Sequence, residues 1–145
     1  MIEKTIQNWH DHMRGNYEPG LDGLIHDDCV FYSPVVFTPQ KGKEITIMYL
    51  NAAGATLGNA ADGDPKERDE NHIPFRYIKE VVAGNTAMLE FERTSGGKYM
   101  NGIDIITCDD EGKIIEFKVM IRPLQAVNLL HKQMGAMLEK MSDGK

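Results

Sequence analysis

Two β-branched runs, Gly102-Ile103-Asp104-Ile105-Ile106-Thr107-Cys108 and Ile114-Ile115-Glu116-Phe117-Lys118-Val119-Met120-Ile121, flank the acidic segment Asp109-Asp110-Glu111-Gly112-Lys113. The pattern predicts a hairpin of two long strands with a tight turn closed at Gly112. A single carboxylate, Asp104, interrupts the first run. Side chains alternate between faces along a strand, so Asp104 shares its face with Gly102 and Ile106. On a buried face an ionised carboxylate is costly and its pKa must rise. On a half-exposed sheet the same residue simply faces water. Both placements satisfy the pattern, and Asp104 is the leading candidate for chemistry.

The 145 residues suit one domain spanning 1–145 with a sizeable core. A formal charge of −6 disfavours nucleic acid, whose phosphates call for clustered Lys and Arg. No apolar run reaches the length of a membrane span, and Met1-Ile2-Glu3-Lys4 does not read as the start of a signal peptide, so a cytoplasmic location is expected. Cys29 and Cys108 fall in predicted strands and are expected to be reduced core thiols, without metal-ligand spacing.

Ile2, Ile6, Trp9 and Met13 recur at helical spacing, which predicts a first helix over about Ile2 to Gly15. His10 and His12 lie two apart and point to nearly opposite sides of that helix, so they cannot share a metal. A short helix is predicted from Pro19 to His26. Asp27-Asp28 then leads into a strand, Cys29 to Ser33, closed by Pro34. A second long helix is expected over about Lys43 to Leu57. The polar, Gly- and Pro-containing stretch Gly58 to Asn71 reads as a long surface loop, a candidate lid. Strands at Ile73–Val82 and Thr86–Arg93 precede the hairpin, and Pro123 ends its last strand. Leu124 to Met141 carries Leu124, Val127, Leu130, Met134, Met137 and Leu138 on a final helix. This order predicts an α+β fold, a strongly bent, mainly antiparallel sheet wrapped around N-terminal and middle helices.

Several of these segments carry a resemblance. Asp27-Asp28 before the first strand, Ser33-Pro34 followed by Gly42 and Ile45, the hairpin, and Met120-Ile121-Arg122-Pro123-Leu124 together resemble the nuclear transport factor 2-like superfamily. The chain is most similar to its SnoaL-like branch, polyketide cyclases included, and to ketosteroid isomerase. The resemblance implies a cone-shaped cystatin-like roll, an internal cavity and a homodimer formed through the open face of the sheet. Ketosteroid isomerase, a worked case of pKa tuning, uses an Asp base with an oxyanion hole of Tyr and protonated Asp. Its oxyanion aspartate falls on Asp104, its base on Ser33 and its tyrosine on Trp9. A lone serine hydroxyl cannot take a carbon-bound proton at neutral pH. Glu92-Arg93-Thr94 is similar to part of the limonene epoxide hydrolase signature, but Ser95 replaces the aspartate that should follow and the second carboxylate falls near Arg122.

The resemblance also turns Ile115, Phe117, Val119 and Ile121 inward. With Trp9, Met13, Ser33, Val35, Phe37 and Ile106, and with Tyr32 near the rim, they would line a mainly apolar site for a small hydrophobic molecule. Asp104 would be the catalytic group, as an acid toward a carbonyl oxygen or a base toward an activated C–H. Isomerase, cyclase and hydratase-like steps fit without cofactor or metal. The competing reading is a ligand-binding or dimerisation domain that has lost the catalytic set. Arg122 is expected to pair with Glu90 or Glu92 or to sit at a subunit contact, with Glu116 and Lys118 on its face. His26, His72 and His131 have no assigned role.

Overall fold

The computed structural model describes residues 1–57 and 71–143. Its elements are α1 (Ile2–Met13), α2 (Gly20–Leu24), β1 (Ile25–Tyr32), β2 (Gln40–Lys41), α3 (Lys43–Leu57), β3 (Arg76–Ala83), β4 (Thr86–Ser95), β5 (Lys98–Cys108), β6 (Ile114–Arg122) and α4 (Leu124–Asp143). The expected loop and lid at Gly58–Asn71 falls, except for Asn71, outside the described residues. The six strands form one curled, unclosed sheet in the order β2-β1-β6-β5-β4-β3. Every pairing is antiparallel except β1 with β6. This is the α+β architecture that the element order predicts.

Ile2, Ile6 and Trp9 on α1 are all buried, because their four- and three-residue spacings place them on one stripe. They enter the main core with Leu24, Ile25, Phe31, Leu89, Ile106 and Phe117. A second cluster joins Ala52 and Leu57 of α3 to Met100 of β5 and to Ala126, Leu130 and Met134 of α4. The two clusters occupy the inside of the curl. Cys29 and Cys108 are both buried free thiols.

Hydrogen bonds fix α1 against the β5–β6 turn. Asp109 Oδ1 accepts the amides of Glu111 and Lys113 at 2.9 Å, and Gly112 takes φ +84°, the left-handed conformation the tight turn needs. The buried Thr5 hydroxyl donates to the Gly112 carbonyl at 2.8 Å. Thr5→Val keeps the shape and removes this donor. It is expected to lower stability by about 1–3 kcal/mol, read as a fall in the urea midpoint at unchanged slope.

Two irregularities alter the expected boundaries. β1 begins at Ile25 rather than Cys29, and its pairing with β6 slips between Ile25 and Val30. Asp27-Asp28 therefore sits within the strand, where the Asp28 amide donates to His26 Nδ1 at 2.9 Å. In the β5–β6 ladder Thr107 faces Glu116 but Cys108 faces Ile114, which leaves Ile115 as an extra residue. This bulge breaks the alternation. Ile114, fully buried, takes the inward place expected for Ile115, which is only half-buried. The two-residue strand β2 has no counterpart in the sequence reading.

Candidate functional site

The inner face of the sheet and the helices packed on it enclose a cavity of about 310 Å³. Trp9 and Met13 of α1 reach it one helical turn apart. Ser33 and Val35 follow β1, Asp104 comes from β5, and Phe117 and Val119 come from β6. Phe31, Phe75 and Phe91 complete an aromatic wall in which the Phe75 and Phe91 ring centroids stand 4.9 Å apart. Ile106 and Ile121, assigned to the lining from sequence, do not reach the cavity. Ile106 is fully buried in the main core beside Ala87 and Leu89, and Ile121 packs against the α4 cluster. Phe37 is fully exposed on the loop after Pro34. The Tyr32 ring lies outside, with the Lys118 amino group 4.7 Å from its centroid.

Asp104 faces inward because burial alternates along β5 from Gly102 to Cys108, and its partners across the ladders are Leu89 and Val119. The residue is 6% exposed. Its Oδ2 accepts a 2.6 Å hydrogen bond from the Tyr77 hydroxyl, while Oδ1 has no partner among the described residues. The Tyr77 oxygen in turn accepts the Trp9 indole N–H at 3.0 Å. Indole can only donate, so the direction of the chain is fixed from Trp9 to Tyr77 to Asp104. Burial pushes the Asp104 carboxyl up to about 7, partly opposed by the Tyr77 hydrogen bond. Burial, together with the adjacent Asp104 charge, drives the Tyr77 phenol well above its usual range, so it stays protonated. At neutral pH the site keeps a protonated carboxyl population at the lining of an apolar cavity. Such a group can donate a strong hydrogen bond to a carbonyl or enolate oxygen.

Tyr77 is a site residue that sequence reasoning missed. Its strand was predicted, but two further ladders and a slip between Tyr77 and Lys79 separate its register from that of Asp104. The only sequence signal was an aromatic pair, Phe75 and Tyr77, at strand spacing. Trp9 therefore anchors Tyr77 and does not itself offer a donor to the cavity. Ser33 is occupied as well: its Oγ accepts the amides of Val35 at 3.1 Å and Val36 at 3.3 Å.

Arg122 and His10 find partners within the fold. Arg122 Nε donates to Asn101 Oδ1 at 2.8 Å, and Asn101 Nδ2 donates to Glu90 Oε2 at 3.0 Å. The expected direct pair of Arg122 with Glu90 or Glu92 is thus replaced by an amide relay, because Arg76 and Tyr99 occupy Glu92. His10 pairs with Glu80 at 2.9 Å. Among the described residues no group of three His, Cys, Asp or Glu is arranged to hold a metal ion.

No protein-family model matches the chain, and no curated protein matches it. Solved structures do. A steroid delta-isomerase from Pseudomonas aeruginosa is 28% identical over 98% of this chain and 94% of its own, with a TM-score of 0.78. An uncharacterised bacterial protein with a cystatin-like fold from Silicibacter pomeroyi is 25% identical over 91% and 83%, with a TM-score of 0.72. A nuclear transport factor 2-like protein of unknown function from Mesorhizobium loti shares the fold at 18% identity over 84% and 91%, with a TM-score of 0.61. The chain has the fold of the nuclear transport factor 2-like (SnoaL-like) superfamily. Within it, the fold is of the isomerase and cyclase type.

Proposed function

We propose that the chain is a cofactor-free enzyme acting on a hydrophobic carbonyl compound by acid/base chemistry at Asp104. The observation that carries this reading is the buried Asp104 carboxyl in the lining of an aromatic cavity, with Oδ2 held by Tyr77 and Oδ1 without a partner among the described residues. The substrate carbonyl sits at Oδ1, and the protonated carboxyl stabilises the oxygen as negative charge develops there. The steroid delta-isomerase neighbour supports a substrate of steroid-like ketone character. Exposed Val81, Met88 and Met120 on the sheet support a homodimer joined through that face.

The second reading is a ligand-binding domain without catalysis. The Ser33 geometry favours it, since the residue at the isomerase base position is committed to capping its own turn. Binding of 2-naphthol, whose phenolate mimics an enolate, tests the site by fluorescence at pH 7. Asp104→Ala is expected to weaken binding by about tenfold or more, as loss of a hydrogen bond to a charged group implies. Equal affinity in the two proteins would remove Asp104 from the site and leave the binding-domain reading in front.

A further inference from the structure

Proton abstraction from carbon needs a base, and the groups considered so far supply none. Asp104 is the oxygen-binding acid of the proposed reaction, Tyr77 is protonated and hydrogen-bonded to it, and Trp9 is spent on Tyr77. Ser33 accepts two backbone amides, and the Asn51 amide that also lines the cavity is not basic. One lining side chain has the right chemistry. His12 follows Trp9 by three residues on α1, so helical geometry sets both on the same flank. Their ring centroids are 5.7 Å apart at 39°. The imidazole faces the same cavity as Asp104, and among the described residues it has no hydrogen-bond or ion-pair partner. His10, two residues earlier, points away to Glu80.

We propose that His12 is the general base of this site, acting on the carbon next to the carbonyl held at Asp104. The proposal rests on the reading of Asp104 given above and extends it. A ring nitrogen of His12 takes the α-proton. The C–H electron pair moves into the enolate, whose oxygen accepts the Asp104 O–H. The imidazolium then returns the proton to the far carbon of the conjugated enolate, which restores neutral imidazole and completes a double-bond shift. No other reactant is needed. Burial holds the His12 pKa below its ordinary value of 6.5, so the ring is neutral and basic at pH 7. The other titratable groups lining the cavity are Tyr77 from β3 and Asp104 from β5.

The test is deuterium exchange at the α-carbon of 2-tetralone in heavy water, followed by proton NMR, beside 2-naphthol affinity. In His12→Gln the exchange rate is expected to fall by ~100-fold or more, with naphthol affinity within about threefold of wild type. The acidic limb of the pH–rate profile should vanish with it. His12→Ala, with its larger cavity, should regain exchange on addition of imidazole. Exchange at the wild-type rate in His12→Gln, or none above solvent in the wild type, overturns the proposal. Asp104→Ala separates the two readings: unchanged naphthol binding there defeats the Asp104 site itself, whatever His12 does.

Discussion

The Asp104→Asn protein is expected to resist urea better than the wild type at pH 8 and to match it near pH 4. The carboxyl titrates at 3.8 in an unfolded chain and near 7 in the folded one. Below the lower value both states are protonated and burial carries no charge penalty. Between the two values the unfolded chain releases a proton that the folded protein keeps, so stability falls by ~1.4 kcal/mol for each pH unit. Above about 7 the native state holds a buried carboxylate and the whole penalty applies. The gap corresponds to roughly 4 kcal/mol, from which the imperfect partnering of a buried amide subtracts. A net gain of about 2–4 kcal/mol for the asparagine form at pH 8 is therefore expected. The amide oxygen can still accept the Tyr77 hydroxyl, so the network survives the exchange. Urea melts of both proteins at pH 4, 6 and 8 decide it. A wild type more stable at pH 8 than its asparagine variant would mean that the charge is well satisfied in place, and Asp104 would then be a structural carboxylate. A stabilising loss of the acid is what a site tuned for activity predicts.

Gly102→Ala is expected to be the most damaging single-methyl change in the sheet. A Cβ at this position would lie 2.4 Å from Phe91 Cζ and 2.8 Å from the Met120 carbonyl oxygen. The ring cannot swing aside freely because it is packed against Phe75, and the carbonyl belongs to the ladder that joins β5 to β6. Overpacking of this kind costs about 2–3 kcal/mol, a fall of roughly 6–12 °C in Tm for a domain of this size. Because Phe91 lines the cavity, naphthol affinity should fall as well. Gly135→Ala in α4, where an added Cβ meets nothing within 4 Å, is the control and should raise Tm. Equal melting temperatures for wild type and Gly102→Ala would show that β5 and β6 separate more easily than the packing implies.

What the residues disclosed, and what they hid, follows the reach of each physical rule. The period of two along β5 put Asp104, Gly102 and Ile106 on one face, and all three are buried there. The helical period of α1 set Trp9 and Met13 side by side, and both reach the cavity. Alternation says which face a residue takes but not how far along the curl the cavity extends, so Ile106 and Ile121 were placed in a lining that ends short of them. It fails outright where a ladder slips, as at Ile115. No periodic rule governs the stretch after Pro34, which is why Phe37 was drawn inward. The partnership of Tyr77 with Asp104 depends on the order of strands, and strand order is not written in any local pattern. His12 was weighed only as a metal ligand against His10, a comparison that could not show which helix flank faced the cavity.

The strand order has a consequence for how the chain is made. β1 lies between β2 and β6, with Phe31 opposite Phe117. A ribosome releases β1 early and its β6 neighbour only after α3, β3, β4 and β5 have been translated. Through that interval one edge of β1 has no lawful partner and is open to strands of other nascent chains. Completion of the sheet waits for β6, as folds dominated by distant pairings require. Synthesis arrested before Ile114 would yield a chain that has every residue of the Trp9–Tyr77–Asp104 relay and no wall to hold it, a natural client for chaperones.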